Sequence, residues 1–153
     1  MNVFDYLFAS TQNLEKDFVL GPKETISYKK LHEDSLKVAA YLKHNIGEDR
    51  NVILISPNSV FFITAYLGIL KSGNVCVPLN FAIEQENLDF IVKATDCTTV
   101  FMAKSLQSQQ QVANGVQPFD ETALGEIINS QESVFFDPKF DKNRLAEIIF
   151  TSG

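Results

Sequence analysis

The sequence predicts an α/β fold, a mainly parallel sheet flanked by helices, and three observations carry that expectation. Short apolar runs rich in β-branched residues recur at 52–55 (VILI), 75–77 (VCV) and 98–102 (TTVFM), the composition of strands buried on both faces, and 146–150 (AEIIF) reads as a last strand. Segments of helical spacing separate them, so strand and helix alternate. Residues 51–80 read as one βαβ unit. Its crossover, 60–70 (VFFITAYLGIL), is apolar on nearly every side and therefore predicted to be buried. Strands joined that way are expected to be parallel, with a right-handed connection.

The chain of 153 residues is about one domain long. Apolar residues make up 45% and charged residues 21%, a globular balance. The net charge of −6, without a basic cluster, argues against a nucleic-acid partner and suits a soluble cytoplasmic protein. The opening MNVFDYLF lacks the positive region and cleavage site of a signal peptide. The run 60–70, interrupted by Thr64 and Gly68, falls short of the ~20 residues of a membrane span, so no transmembrane segment is expected. Cys76 and Cys97 show no CxxC spacing and read as reduced thiols. His32 and His44 lie on one predicted helix, and no ligand cluster points to a metal.

Taken in order, residues 3–12 can form a short amphipathic helix with Phe4, Leu7, Phe8 and Thr11 on one face. Residues 17–20 and 25–27, around the turn Gly21-Pro22-Lys23-Glu24, read as a hairpin. Ser27 caps a long helix, 28–45, closed by Gly47. Its buried stripe is Tyr28, Leu31, Ser35, Val38, Ala39, Leu42 and Ile46, and Lys29, Lys30, Glu33, Asp34, Lys37 and Lys43 take the wet face. In the central unit Ser56 and Pro57 offer the helix start. Lys71 suits the negative end of the dipole, Gly73 the left-handed closing position, and Pro78 ends the second strand. Phe61, Ile63, Leu67 and Leu70 are expected in the core.

Residues 84–95 predict another helix, with Glu84 and Glu86 in its first turn and Leu88, Ile91, Val92 and Thr95 as its stripe. The polar stretch 104–117 reads as a surface loop or exposed helix, 121–130 as a short helix, and 133–144 as an exposed connection. The strand 146–150 then runs into Thr151-Ser152-Gly153. A strand emptying into hydroxyls and glycine is suited to cradle phosphate: glycine lets the backbone approach, and hydroxyls and successive N–H groups donate to the oxygens. Neither a P-loop lysine nor a GxGxxG accompanies it.

Several stretches together resemble one family. ISYKKL at 26–31 resembles the early T/S-Y-x-E-L segment of the AMP-forming adenylating enzymes, which include acyl-CoA synthetases and peptide-synthetase adenylation domains. LKSGNVCVPLN at 70–80 is similar to their LKAGxVxVPLN, and LAEIIFTSG at 145–153 to the start of their ATP-phosphate loop, LAYIIYTSGTTGxPKG. Two positions depart from the pattern: Lys30 stands where the family has Glu, and Glu147 where it has an apolar or aromatic residue.

The resemblance implies that residues 1–153 are the N-terminal subdomain of an adenylate-forming domain, truncated within the ATP-phosphate loop. Thr151, Ser152 and Gly153 would begin ATP binding. The parent would be a ligase that uses ATP and Mg²⁺ to activate a carboxylate as acyl-adenylate and passes it to a thiol such as CoA. The chain lacks the rest of the loop, the acyl pocket and the mobile C-terminal domain. It is therefore expected to be inactive alone, to bind none of those cofactors, to partner the remainder of the ligase and to form a homodimer. The rival expectation is a non-catalytic α/β interaction module that keeps the fold.

Overall fold

The computed structural model describes residues 2–113, 116, 118–132 and 143–151. Its elements follow in the order α1 (Val3–Phe8), β1 (Asp17–Leu20), β2 (Thr25–Ser27), α2 (Tyr28–Ile46), β3 (Asn51–Ile55), α3 (Val60–Lys71), β4 (Val75–Leu79), α4 (Gln85–Ala94), β5 (Thr99–Met102), β6 (Pro118–Phe119) and α5 (Glu121–Ser130). Among the described residues the main sheet runs β4-β3-β5-β6, with every neighbouring pair parallel, while β1 and β2 form a separate antiparallel hairpin. The α/β expectation holds, down to the hairpin and α5 boundaries.

One apolar cluster joins the sheet to the helices. Val52, Ile53, Leu54 and Ile55 of β3 and Val100, Phe101 and Met102 of β5 meet Val38 and Leu42 of α2, Ala65 and Ile69 of α3, Leu88 of α4 and Leu124 of α5. A second cluster, of Phe4, Phe8, Ile26, Leu31, Leu36 and Leu67, seats α1 and the hairpin against α2 and α3. Leu67 is fully inside, as expected, but Ile63 is only half-buried on the hairpin side of α3.

The helix ends follow their capping chemistry, with one shift. Ser27 Oγ accepts from the Lys30 amide at 3.1 Å, and Gly47 closes α2 at φ 81°. The start of α3 is not at Ser56-Pro57. Ser59 is the cap, accepting from the Phe62 amide at 3.0 Å, while the Glu24 carboxylate takes the Val60 amide at 2.6 Å. Acceptors from its own loop and from the hairpin thus satisfy two of the helix's orphan amides. Ser56 instead donates to the Pro57 carbonyl at 2.8 Å. After α3, Gly73 takes the left-handed conformation at φ 82°, and Asn74 ties α2, β3 and β4 together. Its Oδ1 accepts from the Arg50 amide at 2.9 Å and its Nδ2 donates to the Gly47 carbonyl at 3.0 Å.

Other expectations need correction. Helix α1 stops at Phe8 rather than at residue 12. Asp34, assigned to the wet face of α2, is buried and paired with Lys30. Lys71 does sit in the last turn of α3, but it is also buried and bound to Asp5. Pro78 does not end β4, which pairs through to Leu79 against Ile55; β4 is an outer strand, where a missing N–H is tolerated. The polar stretch after β5 contains a buried residue, Gln110, and ends in the unanticipated β6, where Phe119 stacks on Phe101 at 5.3 Å. Most of the connection expected at 133–144 lies outside the described residues.

Candidate active site

In a parallel sheet the carboxyl ends of the strands share one edge, and a ligand bound there meets the loops that leave them. In this chain a cleft of about 650 Å³ opens where β4 ends. It is lined by Leu79, Asn80, Ala82, Ile83, Glu84, Asn87, Phe90 and Ile91 on one side and by Phe150 and Thr151 on the other. The turn after β4 is held in shape from within: Asn80 Oδ1 accepts from the Ala82 amide at 2.9 Å, and Gln110 Nε2 donates to the Phe81 and Ile83 carbonyls at 3.1 and 2.8 Å.

The segment 145–150 brings Thr151 to this cleft. It was expected to be a full strand, but it makes a single parallel bridge between Glu147 and Cys76. The Cys76 amide donates to the Ala146 carbonyl at 3.0 Å and the Ile148 amide donates to the Cys76 carbonyl at 2.9 Å. Side chains hold it at two further points. Arg144 reaches Glu48 at 3.4 Å and Asp49 at 2.6 Å, passing over Gly73, where a Cβ would come within 3.3 Å of its guanidinium. The Tyr66 hydroxyl donates to Glu147 Oε2 at 3.0 Å.

These contacts perturb the groups involved. Burial first, then the hydrogen bond to Glu147, pushes the Tyr66 hydroxyl up to about 12. Burial also raises the Cys76 thiol, with the Glu147 charge adding to it, so this cysteine is an inert packing group. Glu48 is held below the usual carboxylate range by the Lys43 hydrogen bond foremost, with the Lys43 and Arg144 charges adding to it.

Of the site residues read from the sequence, Thr151 stands exposed at the cleft, while Ser152 and Gly153 lie outside the described residues. Among the described residues that line the cleft none is a lysine or arginine, and Glu84 is the one carboxylate. A Mg²⁺ ion would be shared between phosphate oxygens and, of the groups lining this cleft, the Glu84 carboxylate. The clamp residues Tyr66 and Arg144 were not legible as site residues; Glu147 left a trace as a charge inside an apolar strand pattern.

A family model described as AMP-binding enzyme matches residues 8–153. The chain belongs to that family. Among relatives of this AMP-binding chain, surfactin synthase subunit 1 of Bacillus subtilis (strain 168) is 31% identical over 136 residues, covering 88% of the chain and 4% of that protein. ATP-bound MatB from Rhodopseudomonas palustris superposes with a TM-score of 0.82 at 22% identity, covering 100% of the chain and 33% of MatB. The anthranilate CoA ligase AuaEII, solved with anthranoyl-AMP, gives a TM-score of 0.88 at 14% identity, over 100% of the chain and 32% of its own length. The structural likeness establishes the adenylate-forming fold, of which this chain spans about a third. Among the described residues no helix is long and apolar enough to cross a membrane.

Proposed function

We propose that this chain is the N-terminal part of an ATP-dependent, AMP-forming carboxylate–CoA ligase and that it is not catalytic alone. The observation that carries the reading is the delivery of Thr151 to the cleft at the end of β4. In the proposal Thr151, Ser152 and Gly153 open the loop that holds the ATP phosphates. The cleft beside them faces the region where carboxylate and α-phosphate react. A solved neighbour that carries anthranoyl-AMP supports an acyl-adenylate as the product of the first step. The parent would use Mg²⁺ and then pass the acyl group to CoA. It works in the cytoplasm, where the reduced Cys76 and Cys97 are at home.

Inactivity follows from the charge balance of the transition state. Phosphoryl chemistry needs cationic donors aimed at the developing charge. Among the described residues the cleft lining offers one hydroxyl from Thr151, two side-chain amides and a carboxylate of the wrong sign at Glu84. Hydrogen bonds to phosphate contribute about 1 kcal/mol each, or up to roughly 3 kcal/mol where the acceptor is charged, and fixing the residues that make them costs about 1–2 kcal/mol apiece. Little net affinity for ATP is left.

The test is carboxylate-dependent ATP–pyrophosphate exchange, run on this chain and on the whole open reading frame around it, with calorimetric titration of the chain by Mg-ATP. The expected result is exchange from the full reading frame only, with no micromolar ATP binding by the chain. Exchange or micromolar binding by the chain alone would overturn its predicted inactivity. Absence of exchange from the full protein across aliphatic, aryl and amino acids would overturn the ligase reading in favour of a non-catalytic module.

A further inference from the structure

We infer that Tyr66 and Glu147 form a register pin that sets where Thr151 stands at the cleft, which makes them positioning residues for the phosphate loop; the functional half of this inference rests on the ligase reading above.

The segment that delivers Thr151 is weakly held by its backbone. Strand β3 pairs with β4 along the whole run Asn51 to Ile55, whereas 145–150 is tied to β4 by the two main-chain bonds at Cys76. Leu145 and Ile149, near its two ends, are exposed. A strand so lightly bonded can slip unless its side chains forbid it. Here the chain alternates: Ile148 packs against the main core, while the neighbouring Glu147 accepts from the Tyr66 hydroxyl on α3. A slip of one residue in one direction would set Ile148 against that hydroxyl, and in the other direction it would set the Glu147 carboxylate against the apolar cluster. Both are penalised.

The slip would also matter at the cleft. One residue along a strand is about 3.3 Å, larger than the whole distance over which a hydrogen bond to a phosphate oxygen holds its strength. Thr151, four residues beyond Glu147, would miss its position entirely. The donor side of the pin is itself fixed. The Tyr66 ring stacks on Phe62 with centroids 6.1 Å apart and planes at 8°, and the hydroxyl keeps its proton well above neutral pH. Arg144 anchors the entry of the segment on Glu48 and Asp49, ahead of the bridge, and the Tyr66–Glu147 contact adds a second fixed point at the bridge itself.

Amide hydrogen exchange by NMR on this chain tests the pin without ATP. Tyr66→Phe and Glu147→Ala should speed exchange of the Ile148 and Cys76 amides about tenfold, the effect of one hydrogen bond to a charged group. The Ile53 and Leu54 amides of β3 should stay as in the wild type. Glu147→Gln, whose amide oxygen still accepts from Tyr66, should keep Ile148 and Cys76 within about threefold of wild type, a rescue that lost bulk or packing would not give. Unchanged Ile148 exchange in Tyr66→Phe would overturn the inference. So would equal acceleration of the β3 amides, or failure of both Tyr66→Phe and Glu147→Ala to fold, because the pair would then hold the whole domain rather than this segment. A null exchange result rejects the pin and leaves the ligase reading standing. A full-length protein without pyrophosphate exchange rejects the ligase reading and leaves the pin.

Discussion

Lys71 Nζ lies 2.7 Å from Asp5 Oδ1 with the lysine side chain only 1% exposed, so the last turn of the central helix carries a charge held inside the protein by a carboxylate from the N-terminal helix. The Phe4 ring adds its face at 5.5 Å. A buried charge that loses its counter-ion is more damaging than one replaced by an apolar group of similar size. Asp5→Ala should therefore destabilise the chain by about 2–3 kcal/mol in urea unfolding, while Lys71→Met should change it by under about 1 kcal/mol. Equal losses from the two variants would show that lost packing, not the lost Asp5 carboxylate, dominates.

Two helical glycines should respond to alanine with opposite signs. At Gly68 a Cβ would stand 2.6 Å from Val38 Cγ1 and 2.7 Å from Val38 Cβ, at the closest approach of α3 to α2. Gly68→Ala should destabilise by about 1–3 kcal/mol despite alanine's better helix propensity. Gly125 on α5 faces open space, so Gly125→Ala should stabilise by about 0.5–1 kcal/mol. Thermal unfolding of both decides it; a stable Gly68→Ala would mean the helices can separate at little expense.

Legibility in the sequence followed the range of the interaction. The strands, the hairpin, the Ser27 cap and α5 depend on neighbours a few residues away, and composition and spacing were enough to find them. What was missed depends on distant partners. The α3 cap went to Ser59 with help from Glu24, 36 residues before Val60. The burial of Lys71 was not readable because its partner, Asp5, is 66 residues away, and β6 was not because two residues with a proline carry no period. Asp34 deceived for a nearer reason: the i,i+4 bond to Lys30 lets a carboxylate sit inside a face that charge alone marked as wet. At the site, residues 151–153 were readable as a motif, but the contacts of Glu147 and Arg144 in the segment that leads to Thr151 could only be seen once the bridge to Cys76 was in place.

The same distinction sets the core energetics. Leu67, inside the second cluster, should lose roughly 2–5 kcal/mol on truncation to alanine. Half-buried Ile63 should lose clearly less, because part of its side chain already meets water. Matching losses in denaturant unfolding would mean the hairpin covers Ile63 more fully than its exposure indicates.

Stability should fall at both ends of the pH range. His32, packed on Phe4 and Phe8 at centroid distances of 5.3 and 4.9 Å, has its pKa lowered by burial foremost. The unfolded chain therefore takes up the proton first, and this contribution, present above 6.5, is lost as pH falls below it. Tyr66 shifts the other way, from 10.0 to about 12, so its contribution is intact below 10 and lost between 10 and about 12. Urea midpoints against pH should show an acid limb that flattens in His32→Gln and an alkaline limb that flattens in Tyr66→Phe. An unchanged slope in either variant removes that residue from the account.

The exposed flank of 145–150 leads to a prediction about assembly. Leu145 and Ile149 are each 63% exposed and Phe90, across the cleft from Phe150, 65%. An apolar, lightly paired strand whose outer edge meets no other strand among the described residues is the kind of surface that recruits another strand. In the ligase reading the rest of the protein would cover it; the isolated chain has only other copies of itself. A two-fold pairing of identical edges closes after two subunits, so a dimer rather than an open polymer is the expected product. Sedimentation velocity should show a concentration-dependent shift from monomer toward dimer in the micromolar range. Ile149→Lys, which sets a charge on the edge without touching the Cys76 bridge or the Tyr66 contact, should move the equilibrium back to monomer. A clean monomer at high micromolar concentration would show that the edge is not sticky enough to pair. A dimer indifferent to Ile149→Lys would place the contact elsewhere on the molecule.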